Sequence, residues 1–271
     1  MKRITALLLA LVLGITSIFA LGSCMGKSDL ETIKSNGKIR IGVTVYEPMD
    51  YKDANGKWIG FDAEMAEKFA AQLGVEVEFV VIDWDLKVGE LKSGNIDLIW
   101  NGMTATDELD AEMDFSVSYA ENRQVAVIKK SNADKFNSVD SIKTAKIAVE
   151  KGSAGDTVST DTLGASTIAR VGDQNAALVE VISGTSEVAV IDYTMAYSIV
   201  GQGNYSDLMV VDVEKVSFER EVFAVGARTG SDLLPELNKL FKNAYADGTM
   251  KELAEKYVSV ALNDEALSAN K

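Results

Sequence analysis

The chain of 271 residues, a length typical of one or two domains, carries 27 Lys and Arg residues against 41 Asp and Glu residues and has a formal net charge of −14. It contains no His and a single Cys, which excludes Ser-His-Asp and Cys-His nucleophile pairs, His or thiolate metal sites and an internal disulfide. Because phosphate neutralisation needs clustered cations, so acidic a chain argues against a nucleic-acid partner, and we expect an ordered protein without metal or cofactor whose chemistry depends on carboxylates, hydroxyls, aromatic rings and backbone groups.

Residues 1–23 have the pattern of a secretory signal peptide, in which two cations precede an uncharged run over residues 4–21. Small residues directly before Cys24 resemble a bacterial lipobox, which implies cleavage before this residue and lipidation of its thiol, with residues 24–36 as a tether. The alternatives are a free Cys after an ordinary signal peptide, or an uncleaved helix, since the run is just long enough to cross a bilayer. We predict a lipid-anchored protein on the extracytoplasmic face of the cell membrane, or in the periplasm.

The chain that follows this segment reads as strands that alternate with helices. Short runs rich in β-branched residues predict strands over residues 39–45, 75–82 and 96–100. An apolar residue recurs at every fourth position over residues 61–73, which predicts a helix with one apolar face, and Gly74 supplies its end. A shorter helix is predicted over residues 86–92.

The same alternation returns in the second half of the chain. Strands are predicted over residues 146–149, 187–191 and 221–226, and helices over residues 176–182, 231–245 and 249–257. Strands alternating with helices indicate an α/β protein whose sheets are mainly parallel and covered by helices on both faces.

Two extended segments, at residues 124–128 and 221–225, lead into and out of the central part of the chain. Two such crossings between two α/β units describe a pair of lobes joined by a hinge. The predicted boundaries are 37–124 and 220–262 for the first lobe, 125–219 for the second lobe, and 263–271 for a tail.

Four short sequence motifs follow one another along the chain in a fixed order. They are Gly60-Phe61-Asp62, Asp83-Trp84-Asp85, residues 93–108 followed by Met113-Asp114-Phe115-Ser116, and Gly230-Ser231-Asp232-Leu233. Together they resemble the polar amino-acid family of bacterial ABC-transporter solute-binding proteins, the extracellular solute-binding proteins of family 3. The resemblance implies a type II periplasmic-binding-protein fold with two α/β lobes. It also implies a monomer that captures a polar amino acid between its lobes, without catalysis, and delivers it to a membrane permease.

The family's amine-binding position falls on Asp192, which follows a predicted strand. Ligands of open α/β sheets bind at the carboxyl ends of the strands, although Asp192 would also suit the N-cap of a helix that starts near Tyr193. The family's aromatic clamp falls on Tyr46 and Trp84, because a ring face attracts an ammonium. The alternative is that both rings belong to the core.

The resemblance also implies where the two ends of the ligand are held. Backbone groups near Gly102 and the hydroxyl of Thr104 would contact the amine and the carboxylate. Ser153 and the N–H of Ala154 would form a second carboxylate contact at the N-terminus of a helix. The alternatives are a helix cap at Thr104 and an ordinary strand-to-helix turn at Ser153.

The chain departs from the family pattern at one position. It has Leu109 where the family commonly has the Arg that pairs with the ligand carboxylate. A bidentate guanidinium is the strongest carboxylate partner available. Three explanations stay open: another cation replaces it, with Arg123 the first candidate and Lys151 the second; helix N–H groups bind the carboxylate alone; or the ligand has no carboxylate. Acids predicted around the cleft, Glu47 and Glu150 among them, would suit a ligand with extra positive charge.

Two other functions stay open on the same scaffold. A dehydratase-like enzyme would have to use carboxylates such as Glu150 or Asp192 for its proton chemistry, because the chain has no His. A sensing adaptor would use the same cleft to signal to a separate receptor.

Overall fold

A computed structural model describes residues 27–211, 216 and 218–269 of the chain. The predicted signal peptide and Cys24 lie outside the described residues. The α-helices within them are α1 (Asp29–Asn36), α2 (Phe61–Leu73), α3 (Lys87–Lys92), α4 (Asp107–Asp110), α5 (Val139–Lys143), α6 (Ala154–Thr157), α7 (Gln174–Ser183), α8 (Tyr193–Ile199), α9 (Leu233–Ala246), α10 (Thr249–Lys256) and α11 (Asp264–Ala269). The strands are β1 (Lys38–Val43), β2 (Tyr51–Lys52), β3 (Trp58–Ile59), β4 (Glu76–Val81), β5 (Leu98–Ile99), β6 (Asp114–Phe115), β7 (Ala120–Lys129), β8 (Lys146–Glu150), β9 (Thr167–Val171), β10 (Val188–Asp192), β11 (Leu208–Val210), β12 (Arg220–Phe223), β13 (Gly226–Ala227) and β14 (Ala261–Leu262).

The first lobe is built on a sheet with the strand order β4-β1-β5-β13-β6. Strands β4 and β5 run parallel to β1, whereas β13 is antiparallel to both of its neighbours. Helix α2 packs its fully buried residues Phe61, Met65 and Phe69 into the core of this lobe, and it ends at Gly74, which has the left-handed φ of 73°. The helix predicted from the four-residue apolar period is therefore confirmed, together with its end.

The second lobe is built on a sheet with the order β11-β7-β10-β8-β9. Strands β9 and β10 run parallel to β8, and β7 is antiparallel to β10 and β11. Parallel pairing thus holds in the part of each sheet that is built from βα units, while antiparallel pairing occurs where the chain crosses between the lobes.

The crossing between the lobes consists of strands that reach from one sheet towards the other. The first half of β7 pairs with β12, with Arg220 opposite Arg123 and Phe223 opposite Ala120, and its second half belongs to the second sheet. The single strand predicted over residues 221–226 is divided into β12 and β13, because the chain changes its hydrogen-bonding partner from β7 to β5 at this point. Strand β14 also pairs with β7.

Both ends of the described chain pack onto the first lobe. Ser28 caps α1, Ile33 is fully buried, and Asp29 forms an ion pair with Arg228 at 2.8 Å. Helix α11 buries Leu267 within the predicted tail. Residues 29–36 are therefore helical, where the sequence predicted a tether, because a cap and a half-buried ion pair hold them. Among the described residues, no helix combines the length and the apolar composition that crossing a bilayer requires.

Candidate ligand-binding site

A small cavity of about 20 Å³ lies between the two lobes. Its lining residues lie at or just after the carboxyl ends of strands β1, β4, β5, β8, β9 and β10, the usual position of ligand sites in α/β sheets. The structure brings together here seven of the predicted contact residues, Tyr46, Trp84, Gly102, Thr104, Ser153, Ala154 and Asp192. The remaining lining residues are Asn101, Glu150 and Gln174. A wider groove of about 840 Å³ adjoins this cavity and shares some of its lining residues.

Asp192 is a buried acid that three carboxamides hold in place. Its Oδ1 accepts hydrogen bonds from Asn122 Nδ2 at 2.5 Å and Gln124 Nε2 at 2.7 Å, and its Oδ2 accepts one from Gln174 Nε2. Burial raises the pKa of Asp192, and these hydrogen bonds act in the opposite direction. Its side chain makes no capping hydrogen bond to α8. The carboxylate is therefore an acceptor fixed at the cavity, rather than a helix cap.

Glu150, at the end of the neighbouring strand β8, lines the same cavity and is held quite differently. It is only 3 % exposed, yet its Oε1 has no hydrogen-bond partner among the described residues. Burial, with a contribution from the charge of Asp192, raises the pKa of Glu150 to about 8, while the ammonium of Lys87 lowers it. A buried carboxyl oxygen without a donor is costly, so this site favours a ligand group that donates hydrogen bonds.

Glu221, on β12, is an acid of the site that the sequence reasoning missed. Its Oε2 accepts hydrogen bonds from Thr104 Oγ1 at 3.1 Å, Gln124 Nε2 at 2.9 Å and Asn122 Nδ2 at 3.2 Å. The two carboxamides thus donate to both Glu221 and Asp192. Burial raises the pKa of Glu221 to about 7, and the charge of Asp192 adds to this effect.

A sequence signal for this arrangement exists in β7. Side chains alternate along a strand, so Asn122 and Gln124 share one face. Two carboxamides in this spacing, on a predicted hinge crossing, indicate a polar face that needs acceptors. The strand that supplies the acceptor cannot be identified from this spacing.

The aromatic residues are both buried and part of the cavity wall. Tyr46 meets Phe223 edge-on, with ring centroids 6.4 Å apart. Lys87 Nζ lies 5.0 Å from the centroid of the Trp84 ring. The two alternatives considered for these rings, clamp and core, are therefore compatible, since each ring packs in its lobe and also lines the cavity.

A second layer of acids positions the Gly102 turn. The N–H of Gly102 donates to Asp62 Oδ2 at 2.7 Å, and Asn101 Nδ2 donates to Asp50 Oδ2 at 2.7 Å. A Cβ on Gly102 would lie 2.7 Å from the ring of Tyr46, and its φ of 55° also favours glycine. Asp62, from the Gly-Phe-Asp segment, therefore supports the cavity wall without lining the cavity.

Arg123 does not lie where the sequence reasoning placed it. Its guanidinium lies 4.8 Å from the centroid of the Tyr193 ring, and it lines neither the cavity nor the groove. The reason is the alternation along β7: Asn122 and Gln124 face Asp192, so Arg123 faces the other way. Lys151, the second candidate, pairs with Asp85 at 2.8 Å.

Three contacts join the lobes at the mouth of the cavity. Lys87 Nζ donates to the carbonyl of Gly152 at 2.9 Å, Lys151 pairs with Asp85, and Asn175 Nδ2 donates to the carbonyl of Val45 at 3.0 Å. Ligand pockets usually measure about 300–1,000 Å³, whereas the cavity between the lobes holds little more than one water. The lobes must therefore separate to admit a ligand.

Two α/β lobes with a carboxylate-lined cavity at the strand ends define a hinged binding protein for small molecules. A model of the bacterial extracellular solute-binding proteins, family 3, matches residues 39–260, and the chain belongs to this family. The predicted resemblance and the two-lobe fold are confirmed.

Curated relatives of known role support the same class. The chain is 28% identical over 230 residues to the L-cystine-binding protein TcyJ of Escherichia coli K12, covering 84% of this chain and 85% of that protein. It is 28% identical over 246 residues to the arginine-binding extracellular protein ArtP of Bacillus subtilis, covering 88% and 92% of the two chains.

Solved structures are similar over nearly their whole length. A substrate-binding protein of an ABC uptake transporter from Streptococcus pneumoniae, with bound histidine, is 30% identical with a TM-score of 0.79, covering 88% of this chain and 99% of that one. The ancestral amino acid-binding protein AncCDT-1, described as a precursor of cyclohexadienyl dehydratase, is 33% identical with a TM-score of 0.77, covering 85% and 99%.

Proposed function

We propose that this protein is the extracytoplasmic solute-binding component of an ABC transporter. It captures a small ligand of the polar amino-acid class, with a positively charged nitrogen, between its lobes and delivers it to a membrane permease. The observation that carries this proposal is the carboxylate of Asp192, which is buried at the interlobe cavity and held as an acceptor by three carboxamides.

The chemistry of an ammonium explains why such a site would bind it. Removing an ammonium from water is costly unless a counter-charge and acceptors replace its hydration. Asp192 supplies the charge, and its carboxamide partners fix its position before the ligand arrives, which lowers the ordering cost of binding. The rings of Tyr46 and Trp84 supply faces that attract the same cation.

Closure follows from contacts on both sides of the cavity. Tyr46, Trp84 and Thr104 belong to the first lobe, while Glu150 and Asp192 belong to the second. A ligand that touches both sets binds the closed form better than the open form, and only such a difference shifts the population. The closed form would then dock on the permease.

The proposal includes a lipid anchor at Cys24, four residues before Ser28, the cap of α1. The anchor would hold the first lobe near the membrane, with the protein as a monomer. Cys24→Ser should release the protein from the membrane fraction, and mass spectrometry of the mature N-terminus should detect acyl chains on the unaltered protein only. Equal membrane association of both forms would argue against the anchor.

The direct test of ligand capture is calorimetric titration of the purified protein with each amino acid and with simple amines, beside thermal denaturation. A ligand that binds the folded state raises the melting temperature by mass action. We expect heat and a thermal shift with at least one compound. Neither signal with any of them would refute the proposal.

A dehydratase-like activity is a second candidate, favoured by Glu150. Its pKa of about 8 leaves this buried carboxyl protonated near neutral pH, as a general acid requires, and AncCDT-1 is described as a precursor of a dehydratase. Product formation from a cyclic carboxylate, lost in Glu150→Gln, would establish it. Binding without turnover would leave the transport role alone.

A further inference from the structure

We infer that the ligand is an organic amine without a carboxylate, rather than a zwitterionic amino acid. The inference rests on the proposed function, since it takes the interlobe cavity and its adjoining groove as the ligand site. Three sets of contacts around Thr104, Gly152 and Glu150 lead to it.

The hydroxyl predicted to receive a ligand carboxylate is already used. A Thr hydroxyl has one hydrogen to donate, and that of Thr104 is donated to Glu221 Oε2 at 3.1 Å. The N–H of Gly152, two residues before α6, donates to Asp156 Oδ2 at 3.2 Å. Leu109, which replaces the usual Arg, packs against an apolar cluster and lines the groove.

Acids stand where a ligand carboxylate would have to lie. Asp192 and Glu221 share the amide donors of Asn122 and Gln124, which draws the two carboxylates together beside Thr104. A ligand carboxylate at this point would face two like charges. An ammonium there would face two counter-charges, with Thr104 at its side.

Glu150 extends the same preference to the rest of the cavity. Its Oε1 has no hydrogen-bond partner among the described residues, and the ammonium of an amine can donate to it. Glu150 and the Asp192–Glu221 pair are two acidic places along the cavity and its groove, which suits a ligand with two nitrogen groups.

The Lys and Arg residues near these acids do not form a binding site for a ligand carboxylate. The described residues that line the small cavity include no Lys or Arg. Along the groove, Lys87 donates to the carbonyls of Trp84 and Gly152, and Arg220 has a side chain that is 87 % exposed at the edge. The lining of the groove also includes five further acids, Glu108, Glu121, Asp161, Glu219 and Glu265.

The experiment compares amino acids with the amines that differ from them only by loss of the carboxylate. The pairs are arginine and agmatine, lysine and cadaverine, ornithine and putrescine, and histidine and histamine, titrated calorimetrically into the full chain. We expect the amine to bind at least about tenfold more tightly than its amino acid in every pair that binds. Tighter binding of the amino acids would overturn the inference and leave the proposed function standing, whereas no binding of any compound would refute both.

Two variants test the role assigned to Glu221. Glu221→Gln should weaken amine binding at least about tenfold and leave amino-acid binding equal or stronger. Glu76→Gln, the same change of charge at an exposed acid of β4 that lines neither the cavity nor the groove, should leave both unchanged. Thermal denaturation establishes that each variant is folded. Equal losses for both ligand classes in Glu221→Gln would overturn the inference.

A double variant tests the reverse change. Leu109→Arg combined with Glu221→Gln restores a guanidinium and removes a carboxylate near Thr104, and it should reverse the preference within each pair. If amino acids bind to the unaltered protein and this binding is lost in Lys87→Met, a ligand carboxylate lies at the Lys87 ammonium. That result would overturn the inference.

Discussion

Asp192 and Glu150 line the cavity from the ends of two neighbouring strands, β10 and β8, and they differ in their hydrogen bonding rather than in their burial. Asp192 accepts three carboxamide hydrogen bonds, whereas one oxygen of Glu150 has none among the described residues. The comparison teaches that one acid of the cleft is fixed in place before the ligand arrives, while the hydrogen bonding of the other is completed by the ligand. An acid of the first kind fixes the position of a cation, and one of the second kind responds to its arrival.

The largest expected effect is on Asp192. Asp192→Ala should weaken ligand binding by about 2–5 kcal/mol, because a desolvated ammonium would lose its counter-charge. Calorimetric titration measures the loss. Asp140→Ala, which removes an exposed carboxylate on α5, is the matched control and should leave affinity unchanged. If Asp192→Ala binds the ligand with unaltered affinity, this residue does not belong to the site, and the contrast between Asp192 and Glu150 has no bearing on binding.

A second prediction concerns the stability of the protein without ligand. The carboxyl of Glu150 titrates at about 8 in the folded state against its usual value of 4.5, so the folded protein holds an extra proton between these pH values. Its free energy of unfolding should therefore fall as pH rises from about 5 to 8. In the Glu150→Gln variant, this fall in the free energy of unfolding should be smaller by about 2–4 kcal/mol.

Denaturant unfolding at several pH values measures this effect. The contribution of Glu150 is fully present below about pH 4.5 and is lost as pH rises through about 8. Glu187→Gln serves as the control, since the ion pair with Lys135 lowers the pKa of Glu187 and gives the opposite slope. A Glu150→Gln variant with the same pH profile as the unaltered protein would contradict the argument.

The smallest expected effect is that of Lys87→Met. The Lys87 ammonium lowers the pKa of Glu150 and joins the lobes through the carbonyl of Gly152. Its loss should move the pH dependence of stability to higher pH, because the Lys87 charge lowers the pKa of Glu150. Small-angle scattering should also detect a larger population of open molecules. Lys68→Met, on the surface of α2, is the matched control.

Local sequence pattern was sufficient for most of the elements and for one half of the site. The four-residue apolar period of α2 and its end at Gly74 are properties of a short stretch of chain. The positions of Tyr46, Trp84 and Asp192 directly after strands could be predicted for the same reason, because strand ends meet at one edge of a sheet.

Other features depended on contacts between distant parts of the chain. Helix α1 is held by the pairing of Asp29 with Arg228, which are 199 positions apart. Arg123 was assigned to the cleft from its place on the hinge crossing, but the side of the strand on which it lies depends on the pairing of that strand.

The sequence by itself determined the family, the two-lobe architecture and the acid at position 192, because each depends on local periodicity or on short motifs. Only the tertiary structure decided that Glu221 belongs to the site. The antiparallel register of β7 and β12 sets Glu221 opposite Asn122, and residues directly opposite each other in such a pair project from the same face. That register joins segments about a hundred residues apart, so no local pattern contains it.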